Sequence, residues 1–306
     1  QLGKVPVVVA DATAQVTDQN AIGSGFERGT QFGDQFFQLV FGPALLAVMV
    51  LMVAPITWLL SLSFLGADGS LSLENYTRLV TEGAYLSMFA TTFQISLLVT
   101  ALCLIFGYPV AYVLTILPDR IAGMLMVAVL VPFWTSLLVR TYAWLVLLQR
   151  RGIVNEALQS LGLIDRPLSL VHNMTGTVIG MVHIMLPFLI LPLYATMKTI
   201  DGNLMRAAAN VGASPARVFW TIFFPLSMPG LVAGSVMVFV MCLGFYITPA
   251  LLGGGKVQMI AQRIEQSVAL FPNWGPASAL AMVLLLLTGA FLWPSLLIVR
   301  RLTAQR

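Results

Sequence analysis

Charge is what this chain has least of. Only 9% of its 306 residues are Asp, Glu, Lys or Arg, against about 25% in a soluble domain. Water is therefore not its main solvent. The formal net charge of +4 is small and scattered along the chain, which excludes a nucleic-acid surface. Cysteine is scarce too. Cys103 and Cys242 both lie in apolar runs, where they read as small buried hydrophobes, neither a disulfide nor a metal pair. No CxxC, HExxH or His/Cys cluster is present, so no metal site is expected. The phosphate-binding pattern GxxxxGK[ST] is also missing, so ATP has no such loop to bind here. No nucleophile–base constellation stands out, and no catalytic residue is expected.

What the chain has is apolar length. It is 58% hydrophobic, with mean hydropathy +0.91. Six stretches can cross a bilayer, each needing about 20 apolar residues: 39–65, 87–117, 121–148, 175–197, 226–252 and 277–299. Hydrocarbon forces every backbone polar group to pair internally, so these are helices. The expected class is all-α, a polytopic membrane protein with six transmembrane helices. Residues 1–38 read as a polar cytoplasmic N-terminal tail, 39–300 as the membrane domain and 301–306 as a cytoplasmic C-terminal tail. An even count puts both termini on one side. With that side cytoplasmic, nine Lys and Arg lie inside and six outside, the bias that orients membrane proteins.

Prolines interrupt the spans at 43, 55, 109, 132, 187, 192, 249 and 294. Each reads either as an ordinary kink or, most of all at Pro249, as the mark of a mobile helix. Two outer-loop segments are amphipathic. One carries Ile153, Ala157 and Leu161. The other carries Ile260, Ile264 and Val268 opposite Gln262 and Gln266. They read as helices across the outer mouth, either packed on the bundle or receiving an external partner.

The stretch RAAANVGASPARVFWTIFFPLSMPG, 206–230, is the most informative. Three alanines favour helix, Gly212 supplies a turn, and Ser214–Pro215 is a helix start. A helix, a break and a second helix running into the fifth span follow. This pattern resembles the EAA loop of permeases of ABC importers, carried by Ala207, Ala208, Gly212, Ile222 and Pro225, with Ala213 beside them. Arg206 stands where that family has Glu, and Phe224 where it has Leu.

PFWTSLLVRTYAW (132–144), LPFLILPLY (186–194) and GFYITPALLGGG (244–255) resemble the spermidine/putrescine permeases within the same family. Together the likeness spans about 40–300. It implies a type I ABC importer permease fold in the bacterial inner membrane, with residues 200–226 as the loop coupled to a separate ATPase. It also implies the partners: an ATP-binding subunit, as a dimer holding ATP and Mg; a second permease, a different chain; and an extracytoplasmic solute-binding protein. This chain itself needs no cofactor. Polyamines are the expected solute; an opine, an amino acid derivative or a phosphonate is the alternative.

Arg140 is the one charge inside a span. On a straight helix it lies nineteen residues past Ile121, about 28 Å along the axis and near the outer interface. Snorkelling and a role in the path both remain open. No Asp or Glu lies in the six stretches. A solute path must then use Trp134, Tyr142, Tyr246 and Thr248, each of which also suits plain packing. His172 and His183 read as packing or hydrogen-bonding groups. A secondary carrier would be expected to hold more intramembrane ionisable groups than Arg140 alone.

Overall fold

The computed structural model describes residues 41–66, 68–270 and 274–304. Residues 1–38, read above as a tail, lie outside them. Chain contacts divide the protein into two units, up to Leu59 and from Leu60 onward. The described part of the first belongs to helix α1 (Phe41–Phe64), apolar throughout and long enough to cross a membrane.

The second unit is helical, and an isolated bridge between Leu65 and Leu71 is the one β pairing among the described residues. In chain order it holds α2 (Glu74–Thr81), α3 (Gly83–Ile116), α4 (Asp119–Leu130), α5 (Leu137–Leu147), α6 (Ile153–Ser160), α7 (Met174–Lys198), α8 (Gly202–Asn210), α9 (Pro215–Val218), α10 (Phe224–Leu243), α11 (Ile247–Leu252), α12 (Ile260–Leu270) and α13 (Gly275–Ala304). With α1, five helices are long and apolar enough to span, and six if the bent pair α4–α5 counts as one.

Helix α7 is the centre. It carries no charge between Met174 and Met197 and is apolar all round, the signature of a helix buried on every side. It packs chiefly on α3 and α10. Its N-terminal half joins Ile95, Val99 and Cys103 of α3 and Val238 and Cys242 of α10 in one core. Its C-terminal half, with Ile190, Leu193 and Met197, joins Ala111 and Leu114 of α3 and Phe223 in another. Helix–helix affinity in lipid rests on close packing. Here the close approach is made by Gly230 and Gly234, a small-xxx-small pair on α10. A Cβ on Gly230 would lie 2.5 Å from Thr196 Oγ1 and 3.0 Å from the Pro192 carbonyl oxygen.

Two spans differ from the hydropathy reading. The third is broken. The α4 axis runs into a 3-10 turn at Val131–Trp134, and α5 leaves it at 97°. Pro132 has no N–H to continue an α ladder, and Thr135 folds back with both N–H and hydroxyl on the Pro132 carbonyl. The 28 Å placement of Arg140 on a straight axis is thereby overturned. The fifth span runs over Pro215–Leu243, not 226–252. Gly244 ends it, and α11 is a separate helix restarting at Ile247 with Pro249 in its first turn, where no N–H partner is needed. Pro249 thus marks the restart of a short helix.

Helix α12 packs on the bundle. Ile260 is buried with Leu79 and Leu280, and Gln262, assigned above to the polar face, is buried with its Oε1 accepting the Met259 N–H at 2.8 Å. On α6, Ile153 and Leu161 stay exposed. The close approach at Gly230 yields a prediction. Gly230→Leu should destabilise the subunit by about 2 kcal/mol through overpacking, seen as a lower thermal midpoint in detergent. Gly289→Leu, with no atom within 4 Å of its Cβ position, should change it little.

Candidate functional site

Two groups of residues singled out in the sequence take definite form. The first is the elbow between α7 and α10. Asp201 caps α8 by accepting the Asn203 N–H at 2.9 Å. The helix closes with Gly212 N–H on the Ala209 carbonyl and Ala213 N–H on that of Ala208. Gly212 has φ +84°, a left-handed conformation that costs any other residue about 1–2 kcal/mol. Ser214 then caps α9, accepting the Arg217 N–H, with Pro215 at the first position. The helix–break–helix reading of 206–225 therefore holds.

Arg206, Ala207, Gly212 and Pro225 are exposed, and Ala208, Ala213 and Ile222 are half-buried. Between them the elbow presents apolar side chains, above all Val211 at 85% and Trp220 at 63% exposure. Its other side is anchored. Met205 and Ile200 pack against the core that holds Phe223 and Met197.

Helix α9 does not end before the fifth span but flows into it through a π turn, Phe219–Phe223. Its rings interlock with α3: Tyr112 meets Phe223 at 5.0 Å and Phe219 at 5.4 Å, both edge-on. The Tyr108 hydroxyl lies 3.0 Å from Ser227 Oγ, and Phe224 lies against the Tyr108 ring. Neighbouring aromatic pairs of this geometry add about 0.5–1.5 kcal/mol each. The sequence reading missed this clamp, although the run FWTIFF was the available signal.

The second group lies on α5, α7 and α11, which pack together. Thr248 is fully buried and its Oγ1 lies 3.1 Å from that of Thr141, also fully buried. The Thr141 hydroxyl donates to the Leu137 carbonyl at 2.9 Å, so the Thr248 hydroxyl is the donor to Thr141. One turn along, His183 of α7 stacks edge-on with Trp144 at 5.6 Å. Arg140 Nε and His183 Nδ1 are both shielded and without a hydrogen-bond partner among the described residues. Tyr142 and Tyr246 are exposed, and Trp134 stands 90% exposed at the α4–α5 bend.

Arg140 and Thr248 thus belong to one wall, joined by Thr141, Trp144 and His183. Trp134, exposed at the α4–α5 bend, lies outside that group. His183, read in the sequence as a packing or hydrogen-bonding group, is the one histidine of the fourth apolar run. Its ring contact with Trp144 depends on helix packing that no local pattern encodes. Among the described residues no group of His, Cys, Asp or Glu could hold a metal.

Because Thr141 accepts the Thr248 proton, the two substitutions should be unequal. Thr141→Val strands a buried donor and should cost about 1–3 kcal/mol, while Thr248→Val should cost about 1 kcal/mol or less. Thermal midpoints of the purified variants check this order.

Residues 105–303 match the family described as binding-protein-dependent transport system inner membrane component. The chain is 34% identical over 263 residues to the spermidine/putrescine transport system permease protein PotB of Salmonella typhimurium (strain SL1344), covering 84% of this chain and 91% of that protein. PotB of Escherichia coli (strain K12) is 34% identical over 72% of this chain and 80% of its own. A chain of the bacterial alginate ABC transporter, solved in complex with alginate pentasaccharide-bound periplasmic protein, has TM-score 0.68 at 16% identity, covering 88% of this chain and 96% of that one. That last likeness shows the fold. With a family match across most of its second unit and a relative one-third identical along nearly its whole length, this chain belongs to the inner membrane components of binding-protein-dependent transport systems.

Proposed function

We propose that the chain is one permease subunit of an ATP-driven importer of polyamines, spermidine or putrescine, with both termini cytoplasmic. The observation that carries the solute is the 34% identity to a spermidine/putrescine permease along 84% of the chain. Its partners are an ATP-binding subunit, as a dimer that holds ATP and Mg, a second permease and an extracytoplasmic solute-binding protein. Arg206 in place of the family's Glu removes one carboxylate from the elbow, which suits a pair of different permeases better than two copies of this one.

The elbow supplies the coupling. An apolar ridge with Val211 and Trp220 exposed fits a groove on a soluble ATPase. From Pro215 the chain is helical without interruption to Leu243. A push on α9 is therefore passed along α10 and, through the Tyr112–Phe223 contact, to α3. The path wall sits on α5 and α11, which pack on α7. Movement of α10 and α7 then changes how that wall is presented. Apart from Asp119 at the first position of α4, no carboxylate lies in the described spanning helices. The wall offers Tyr142 and Tyr246 as aromatic faces for an ammonium group, while tight binding is left to the solute-binding protein.

Reconstitution of the full complex tests the solute. Spermidine or putrescine, presented with the binding protein, should stimulate ATP hydrolysis and accumulate inside the vesicles. Stimulation by an opine, an amino acid derivative or a phosphonate, and not by polyamines, would replace the solute. Flux through this chain alone would replace the whole reading with a secondary carrier. The elbow has its own test. At Gly212 a side chain meets no atom within 4 Å, so Gly212→Val acts through backbone strain and not collision. Uptake should fall about tenfold or more, the equivalent of ~1.4 kcal/mol, with the amount of subunit in the membrane unchanged. Full uptake by that variant would dismiss the coupling role.

A further inference from the structure

The end of α7 remote from the elbow carries a second feature. A cavity of about 440 Å³ opens there between the end of α5, the segment leading into α7 and the loop after α11. Its polar lining is Gln149, Arg150, Ser169, His172 and Lys256. Arg150, His172 and Lys256 are all exposed, and no carboxylate lines the cavity. Among the described residues neither Arg150 nor Lys256 has an ion-pair partner; the pairs present are Arg78–Glu82 and Lys198–Asp119.

The walls are fixed in place. Buried Asn155 donates to the Gln149 carbonyl at 2.9 Å and to that of Leu168 at 3.0 Å, and it accepts the Leu168 N–H at 2.8 Å. That one side chain ties α6, the end of α5 and the 168–172 segment together. On the other side Asn173 caps α7 through Gly176 N–H and donates its own N–H to the Leu252 carbonyl at 3.2 Å. His172 is held between them at φ 60°, a conformation rare outside glycine.

Position and charge together define the occupant. Helix α7 has 25 residues, so the cavity lies roughly 37 Å from the elbow along the axis, about the thickness of a bilayer. With the elbow on the ATPase side, the cavity faces the solute-binding protein. An uncompensated cluster of bases at the mouth of a path for polycations repels the cargo. The cluster needs an acidic group, and the one partner that arrives on this face with each transport cycle is the binding protein.

We propose that this cavity receives an Asp or Glu side chain of the docked solute-binding protein. Docking then neutralises Arg150 and Lys256 and lowers the barrier to a cation at the same moment. The inference rests on the importer reading above. It adds a specific recognition site and a reason for free polyamine to be excluded when no binding protein is docked.

The test uses the complete complex in phosphatidylcholine nanodiscs, with its own solute-binding protein as the probe. The readout is the concentration of binding protein that half-saturates stimulation of ATP hydrolysis. In the wild type this concentration should rise as salt goes from about 50 to 300 mM. In the double variant Arg150→Glu, Lys256→Glu it should rise roughly tenfold or more at low salt, fall instead of rise as salt screens the new repulsion, and leave basal hydrolysis unchanged. The milder Lys256→Gln should fall between the two. Reversal of an acidic residue on the binding protein to Lys should restore docking to the double variant.

Unchanged half-saturation and an unchanged salt slope in the double variant would overturn the proposal. So would an effect seen only in nanodiscs containing phosphatidylglycerol, which assigns the cavity to a lipid headgroup. Docking is read with whatever solute fills the binding protein, so a different cargo would revise the solute and leave the cavity standing. Stimulation by polyamine with unaltered docking in the double variant would do the reverse.

Discussion

A membrane interior offers a peptide group no hydrogen-bond partner, and that constraint governs where this chain is regular and where it breaks. Around α7 the helices α3 and α10 run long and unbroken, because each exposed peptide must be paired inside its own helix. The two breaks are satisfied in different ways. The turn at Val131–Trp134 is closed by Thr135, whose backbone and side chain both return to Pro132. The gap between α10 and α11 sits against α5 and α7, where Thr248 and Thr141 share a proton donor and acceptor in complete burial. The second break thus lies beside the buried Thr141–Thr248 pair, on the same wall that holds Arg140 and His183.

The elbow follows the opposite logic. It is exposed, its turn relies on the left-handed Gly212, and its helices are short, so it contributes little to stability by itself. Its value lies in continuity: the chain that leaves Ser214 enters the bundle without a joint until Gly244. That rod is clamped to α3 by the rings of Tyr112, Phe219 and Phe223. The small residues of α10 at Gly230 and Gly234 let that rod lie close against α7.

Much of this was legible in sequence, and the reasons differ by element. The elbow was readable because its signals are local: an alanine run, a glycine at a turn, Ser–Pro at a helix start. The apolar spans were readable because length against hydrocarbon thickness is a property of composition. Span ends were not. Hydropathy reports side chains, whereas helix ends are set by backbone pairing, so the fifth helix begins at Pro215 amid polar residues and stops at Gly244 amid apolar ones. The 97° bend was hidden because proline in a membrane helix is compatible with a mild kink or a full break. Gln262 misled for a related reason: a polar side chain caps the Met259 N–H from inside the bundle. The Arg140–His183–Trp144 group and the cavity at Arg150 depend on which helices become neighbours, and no spacing within one segment records that.

The π turn at Phe219–Phe223 has a mechanical consequence. A π turn carries an extra residue relative to an α turn, and one residue corresponds to about 100° of helical rotation. Converting that turn to α geometry would swivel α9 about the axis of α10 while every downstream peptide kept its pairing.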